Sequence, residues 1–250
     1  MLRLEGFEIV QGTFRLTADM VLEQGQKYAV IGPSGAGKST LLGALCGFVP
    51  LAAGRLFWGD QDITDAAPGA RPMTMLFQDN NLFPHLTVRQ NAGLGIRPDM
   101  RLSAQDKAQV AHALERVGLA DQAGKKPGAL SGGQQSRAAL ARVLVQARPW
   151  LLLDEPFAAL GPALRNEMLD LVQGLVAETG AGLIMVTHAP EDVRRIADQV
   201  IFVGTGPVAS GPVATGPVAS GAIGTSRAEA PQPAAELMNN PPPELKAYLG

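Results

Sequence analysis

The chain has 250 residues, with 21 Lys and Arg against 23 Asp and Glu, and a formal net charge of −2 at pH 7. This length is sufficient to bury the core of one large α/β domain. The near balance of charge excludes a general attraction to nucleic acid or anionic lipid, and an aromatic content of 5% argues against a base-stacking surface. A single cysteine, Cys46, excludes a disulfide scaffold and indicates a reducing compartment.

The most apolar segments, such as residues 150–153 and 183–186, have the length of strands. They are far shorter than the roughly 18 consecutive apolar residues of a membrane span. Residues 1–10 contain no apolar run typical of a secretory signal. We therefore expect a soluble or peripheral protein.

Apolar periodicity and turn residues predict an opening pair of strands and then alternating strands and helices. Strands are predicted over residues 2–10, 13–22, 27–31, 56–58, 73–77, 150–153 and 183–187. Helices are predicted over residues 39–48, 104–118, 133 to about 147, 166–178 and 191–197, with 80–128 mainly helical. This alternation predicts an α/β fold with a mostly parallel sheet that is covered on both faces.

The last part of the chain has a different character. Residues 206–221 repeat a pentapeptide three times (GPVASGPVATGPVASG), and residues 226–243 are rich in Ala and Pro. We interpret the repeat as a tolerated expansion at a surface turn; a binding role is the alternative.

A glycine-rich loop lies between a predicted strand and a predicted helix and matches the phosphate-binding pattern G-x-x-x-x-G-K-[ST]. Its backbone N–H groups and the helix start would hold phosphates, Lys38 would reach the β- and γ-phosphates, and the Ser39 hydroxyl would ligate Mg²⁺. A glycine-rich turn with a solvated lysine is the alternative. The nucleotide-binding residues predicted here are Gly32, Pro33, Ser34, Gly35, Ala36, Gly37, Lys38, Ser39 and Thr40.

Two carboxylates follow the apolar run LLL. At the carboxyl end of a buried strand, Asp154 would hold the magnesium shell and Glu155 would orient and deprotonate the attacking water. An acidic pair at a solvated strand end is the alternative, which the upstream phosphate loop makes less attractive.

The stretch LSGGQ begins at Leu130 and precedes a predicted helix. Ser131 and Gln134 form a capping box, which is a structural explanation, but Gly132 and Gly133 each cost the helix about 1 kcal/mol relative to Ala. The phosphate loop already binds one nucleotide, so a single chain has no need of a second helix end that could bind an anion. In a head-to-tail dimer it would close on the γ-phosphate held by the partner, and the glycines would permit that approach.

Together these motifs resemble the nucleotide-binding subunits of ABC transporters over residues 1–205, with a weaker resemblance over 236–250. The resemblance implies a P-loop NTPase core with an N-terminal antiparallel β part and an inserted helical subdomain at about 80–128. Residues 1–205 would form the ATPase domain and 206–250 a C-terminal tail. ATP and Mg²⁺ are the implied cofactors.

Further assignments come from the resemblance. Gln78 would contact metal or water and couple to a membrane partner, and His188 would contact the γ-phosphate; a polar surface histidine is the alternative.

The family usually has Ser and Asp where this chain has Ala158 and Gly161. That aspartate normally contacts the opposing subunit, so its absence affects communication between two sites. Phe14 is the candidate for stacking on adenine.

Within the family, residues 71–95 and the short chain most resemble the ATPase of bacterial thiamine importers. The implied assembly is an ATPase homodimer on transmembrane permease subunits at the cytoplasmic face of the inner membrane, served indirectly by a periplasmic solute-binding protein and without nucleic acid. The alternatives are another small-solute importer (sulfate, iron or polyamine), a non-transport ABC ATPase, or a subunit with impaired hydrolysis.

Overall fold

The computed structural model describes residues 1–205, 224–241 and 245–246, so the pentapeptide repeat lies outside the described residues. The described strands are β1 (Leu2–Gln11), β2 (Phe14–Leu22), β3 (Lys27–Ile31), β4 (Ala53–Trp58), β5 (Gln61–Asp62), β6 (Met73–Leu76), β7 (Trp150–Asp154), β8 (Gly182–Val186), β9 (Gln199–Thr205), β10 (Gly224–Ala228) and β11 (Gln232–Pro233). The α-helices are α1 (Lys38–Leu45), α2 (Val88–Gly93), α3 (Ala104–Arg116), α4 (Gly132–Leu144), α5 (Pro162–Thr179), α6 (Pro190–Ile196) and α7 (Ala234–Asn239). Short 3₁₀ helices lie at Pro68–Ala70, Ala120–Gln122 and Pro127–Ala129.

The chain folds as two compact units: a terminal unit of Met1–Arg71 with Val186–Gly250, and a middle unit of Pro72–Met185. In the terminal unit the strand order is β5-β4-β1-β2-β10-β9-β3, and β11 also pairs with β9. The pairs of β1 with β2 and with β4 are antiparallel, whereas β10 is parallel to β2 and β3 is parallel to β9. The terminal unit therefore contains the antiparallel β part that we expected.

The terminal unit is stabilised by alternating burial in its antiparallel strands and by complete burial of the apolar residues of β3. In β1, Leu2, Leu4, Phe7 and Ile9 are buried between more exposed neighbours, as expected of strands with one face on a core. The C-terminal segment contributes to the same unit, because Ala234, Leu237 and Met238 of α7 pack in one cluster with residues of β3 and β9.

The middle unit contains β6, β7 and most of β8, with β7 between the other two. β6 and β7 are parallel, with Met73 opposite Trp150 and Leu76 opposite Leu153. Every residue of β7 and β8 is buried, which is typical of strands covered on both faces. Between β6 and β7 the structure has helices and turns, in the region where a mainly helical section was predicted.

The predicted α/β class agrees with this arrangement, but several predicted element ends are wrong. Helix α5 begins at Pro162, four residues before the predicted start, because proline is well suited to a first helical turn. Helix α1 ends at Leu45, before the predicted end at 48, and Gly47 follows with a positive φ of 82°. In the described ranges, no helix is both long enough and apolar enough to cross a membrane.

Candidate functional site

The predicted phosphate loop leaves β3 and enters α1, as the motif requires. Three of its glycines have positive φ angles: 148° at Gly32, 78° at Gly35 and 95° at Gly37. Residues with a Cβ rarely adopt this part of backbone space. The glycine spacing therefore matches the backbone path of the loop.

Two of these glycines are also required by close packing inside the terminal unit. A Cβ on Gly32 would lie 2.2 Å from the carbonyl oxygen of Val203, and one on Gly37 would lie 2.4 Å from the Phe14 ring. A Cβ at Gly35 would meet nothing within 4 Å, and Gly35 and its neighbour Ser34 are exposed. The loop thus packs on the sheet at both ends and exposes its tip.

Lys38 is 5% exposed, and its ammonium group is held inside the loop. Its Nζ donates to the carbonyl oxygens of Gly32 at 2.8 Å and Pro33 at 2.9 Å. Ser39, the next residue, is exposed at the first turn of α1. A cation fixed by the loop, a helix start and an exposed serine next to the loop glycines suit a phosphate bound to a divalent metal ion.

The structure places His188 in the same unit as the phosphate loop. The N–H of Thr187 donates to the carbonyl of Val30 at 3.3 Å, so the chain before His188 runs beside the strand that leads into the loop. The Thr187 hydroxyl donates to Asp192 at 2.6 Å and accepts from the N–H of Ala189 at 3.1 Å. These bonds fix the backbone on both sides of the exposed His188.

Asp154, Glu155 and Gln78 lie together at one edge of the middle unit. Since Leu76 is opposite Leu153 in the parallel β6–β7 pair, the two strands end side by side and Gln78 follows β6 as Glu155 follows β7. Asp154 is 8% exposed, Gln78 is exposed and Glu155 is intermediate. Glu155 has a positive φ of 46°, a conformation that often marks functional positions.

The predicted capping box at the start of α4 is present. The Ser131 hydroxyl accepts from the N–H of Gln134 at 3.3 Å, and the Gln134 side chain accepts from the N–H of Ser131 at 3.0 Å. Ser131 and Gly132 are exposed, whereas Gly133 is buried. The residues at the start of the helix, Ser131 and Gly132, are therefore exposed, and the Ser131 N–H is bonded to the Gln134 side chain.

The two glycines of this helix end have different surroundings. A Cβ on Gly132 would meet nothing within 4 Å, whereas one on Gly133 would lie 2.4 Å from Cδ2 of Leu164. A side chain at Gly133 would therefore require the Leu164 side chain to move. The hypothesis that a partner's phosphate requires the two glycines stays a prediction.

Gly161, where the family resemblance led us to expect aspartate, is the N-cap of α5 and makes no side-chain hydrogen bond. A Cβ there would meet nothing within 4 Å, so the structure does not require glycine. Ala158 lies in the turn after Glu155, with its N–H donating to the Glu155 carbonyl at 3.3 Å.

Sequence reasoning missed two polar residues that hold the segment after Gln78. The buried side chain of Asn91 bonds the N–H of Phe83 at 2.8 Å and the carbonyls of Phe83, Leu86 and Thr87. Arg142 of α4 donates to the carbonyls of Asn80 and Asn81. Neither residue belongs to a short motif, so the sequence carried no signal for these contacts.

The metal ligands predicted from the sequence are all oxygen donors. Among the described residues, no group of three His, Cys, Asp or Glu side chains could enclose a metal ion. Hydroxyl, carboxylate and amide oxygens of Ser39, Asp154 and Gln78 are ligand types that Mg²⁺ accepts, with phosphates and waters supplying the rest.

A family model described as ABC transporter matches residues 17–158. This match shows that the chain belongs to the ABC transporter family. The phosphate loop, the strand-end carboxylates and the capped LSGGQ helix described above agree with it. Two of its curated relatives are each named "Thiamine import ATP-binding protein ThiQ". The relative from Cereibacter sphaeroides is 56% identical over 250 residues, and that from a Ruegeria species (strain TM1040) is 54% identical, each match covering 100% of both chains.

Solved structures share the fold. A structure described as the dimeric structure of MJ0796, a bacterial ABC transporter cassette, is 26% identical with a TM-score of 0.71, covering 82% of this chain and 94% of that one. A second, described as a post-hydrolysis state of the same cassette bound to ADP and Pi, has a TM-score of 0.70 at 26% identity, covering 81% and 94%. The predicted P-loop NTPase fold is confirmed.

Proposed function

We propose that this protein is the ATP-hydrolysing subunit of a bacterial thiamine importer, bound peripherally at the cytoplasmic face of the inner membrane. The observation that carries the proposal is the similarity, over the whole length, to proteins named for thiamine import. The phosphate loop and the strand-end carboxylates supply groups of the kind that ATP hydrolysis needs. Residues 1–205 are assigned to the ATPase domain and 206–250 to a C-terminal segment, of which β10 pairs with β2 and β9 and α7 packs in the terminal unit.

In the terminal unit the phosphates of ATP are bound by the loop from Gly32 to Thr40. Its N–H groups and the start of α1 donate to the β-phosphate, and Lys38 exchanges the carbonyls of Gly32 and Pro33 for phosphate oxygens. This exchange costs little, because the ammonium group is already desolvated in the loop. His188 donates to the γ-phosphate.

In the middle unit Glu155 orients the attacking water and accepts its proton. Mg²⁺ bound with ATP would neutralise phosphate charge, with Ser39, Gln78 and Asp154 as its protein ligands. Gln78 is exposed just beyond β6, so it is also available to respond to a membrane partner.

Two copies form a homodimer in which the Ser131–Gln134 helix end of each closes on the γ-phosphate held by the other. The exposed position of Ser131 and Gly132 at the start of α4 supports this assignment, since a helix start favours an anion. Closure moves two permease subunits, and a periplasmic solute-binding protein delivers the cargo to them. No nucleic acid takes part.

The test is ATP hydrolysis by the complex of this chain with its membrane partner in proteoliposomes, with thiamine and its binding protein present. We expect stimulation by thiamine and not by sulfate, iron or polyamines with their own binding proteins. Glu155→Gln should lower hydrolysis by about 10² to 10⁴, the usual contribution of a general base. Stimulation by another solute would remove thiamine, and hydrolysis no faster than that of Glu155→Gln would remove the enzyme assignment.

A further inference from the structure

Arg142 lies on α4, the helix that begins just after Ser131, and reaches the chain segment that follows Gln78. One guanidinium nitrogen donates to the carbonyl of Asn81 at 2.6 Å, and another donates to the carbonyl of Asn80 at 2.8 Å. The planar fork of arginine can donate to two acceptors at once. Helix α4 is therefore bonded to the backbone of residues 80–81.

The turn that Arg142 holds has an unfavourable backbone conformation. Asn80 and Asn81 have φ angles of 56° and 46°, and two successive left-handed residues are uncommon, although asparagine tolerates the conformation better than most residues. Such a conformation persists when surrounding groups enforce it. The guanidinium provides that enforcement, because it binds both carbonyls of the pair.

Two further contacts fix the position of α4 relative to this region of the middle unit. The Asn80 side chain donates to the Ser136 hydroxyl on α4 at 3.3 Å. A Cβ on Gly95 would lie 2.2 Å from the carbonyl oxygen of Arg142, so the chain after α2 packs directly on the backbone of α4. The Arg142 side chain thus extends from a closely packed part of the helix.

We propose that Arg142 is a positioning residue that joins the LSGGQ helix to Gln78 by holding the left-handed turn at Asn80 and Asn81. Gln78 lies two residues before this turn, and Ser131 lies at the other end of the same helix segment. The proposal rests on the proposed function, in which Gln78 and Ser131 act on nucleotide. A change at one of them reaches the other through the backbone carbonyls that Arg142 binds.

The chemistry requires arginine at this position. The Arg142 side chain is partly buried, and this burial lowers the pKa of its guanidinium. Lysine would keep the charge but presents one compact ammonium group, which matches two adjacent carbonyls less well than a fork. Methionine retains the apolar length of the side chain and removes the donors.

The test compares Arg142→Met and Arg142→Lys with the unaltered chain in the transporter complex. Arg137→Met is the matched control, because Arg137 lies on the same helix and bonds the Val117 carbonyl at 3.0 Å and Glu167 of α5, away from the turn. We expect Arg142→Met to lower kcat about tenfold to a hundredfold, the effect of misplacing a reacting group. Nucleotide affinity should change less than about threefold, since the phosphate-loop residues are untouched.

Hydrogen exchange of the nucleotide-free subunit supplies a readout that is independent of ATP hydrolysis. Amides 79–82 should exchange faster in Arg142→Met than in the unaltered chain, and those of α3 should not. Asn81→Gly in the Arg142→Met background should restore part of kcat, because glycine adopts a positive φ without Arg142. A general loss of stability would not be rescued at this position.

The outcomes separate the two proposals. If the unaltered complex hydrolyses no ATP, the proposed function fails, while exchange at 79–82 still reports on Arg142. Faster exchange at 79–82 with unchanged kcat would overturn the link to Gln78. Unchanged exchange, or an equal loss of kcat in Arg137→Met, would overturn the positioning role of Arg142.

Discussion

Gly132 and Gly133 are adjacent in the chain, but different physical constraints act on them. Leu164 of α5 occupies the space that a side chain on Gly133 would take, whereas the space around Gly132 is open. Glycine in a helix costs about 1 kcal/mol relative to alanine. Contact with Leu164 is a reason within the chain for glycine at position 133, whereas at Gly132 the described residues supply none.

Cys46 follows α1 and is buried. Burial raises the pKa of its thiol to about 12 from an ordinary value of 9.0, and nearby Arg71 opposes the shift. The folded state thus retains a proton that the unfolded chain releases above about pH 9. Its contribution to stability is fully present below pH 9 and is lost as pH rises towards 12.

We predict that the free energy of unfolding decreases between pH 9 and 10.5, with a contribution from Cys46 approaching 1.4 kcal/mol per pH unit. Urea titrations of the unaltered chain and of Cys46→Ala at several pH values would measure the difference in slope. Burial also raises the pKa of Tyr28, but both proteins retain Tyr28, so its effect cancels. Equal slopes would contradict the assignment to Cys46.

At the scale of elements, the C-terminal end of α1 is held by one buried cation. Arg71 is 4% exposed and donates to the carbonyls of Ala44 at 2.8 Å and Leu45 at 2.7 Å. It also donates to the carbonyls of Ala66 at 2.9 Å and Thr64 at 2.7 Å. A cation is favoured at a helix C-terminus, so Arg71 stabilises the helix that begins at Lys38.

We expect Arg71→Met to lower the free energy of unfolding by about 3 kcal/mol, because several buried carbonyls would lose their donor. Chemical denaturation measures this loss. Arg55→Met, at an exposed position of β4, is the control and should change stability by less than about 0.5 kcal/mol. A similar small change in both variants would show that α1 does not depend on Arg71.

At the scale of the molecule, the two units divide the predicted site residues between them. The phosphate loop and His188 belong to the terminal unit, and Gln78, Asp154, Glu155 and the LSGGQ helix end belong to the middle unit. The terminal unit is itself built from both ends of the chain. In the proposed dimer, residues of both units act on the nucleotide. Assembly of two chains that depends on nucleotide is therefore the prediction that tests all of these residues together.

We predict that Glu155→Gln forms a dimer with ATP and Mg²⁺ and is monomeric with ADP, because it binds ATP without consuming it. Sedimentation velocity measures the change in mass. Ser131→Arg, added to Glu155→Gln, should prevent the dimer and leave nucleotide binding unchanged, since it alters only the helix end that faces the partner. A Glu155→Gln protein that binds ATP and remains monomeric would contradict the head-to-tail arrangement.

Local sequence patterns were sufficient to predict β3, the loop after it and the capping box at Ser131. Each depends on neighbouring residues: a buried apolar run, glycines that supply positive φ angles, and side chains three positions apart. The start of α5 was predicted too late, because apolar periodicity in its first turn is weak and Pro162 was not recognised as a helix start.

By itself, the sequence determined the α/β class and the phosphate-loop motif, because these follow from periodicity and short-range chemistry. It also supplied the residues that we propose hold ATP and magnesium. Only the tertiary structure decided that Leu164 packs on Gly133, that Arg142 bonds the turn after Gln78, and that β10 lies between β2 and β9. These contacts join segments far apart along the chain, and many partners compete for each position. Packing of the folded chain selects one of them.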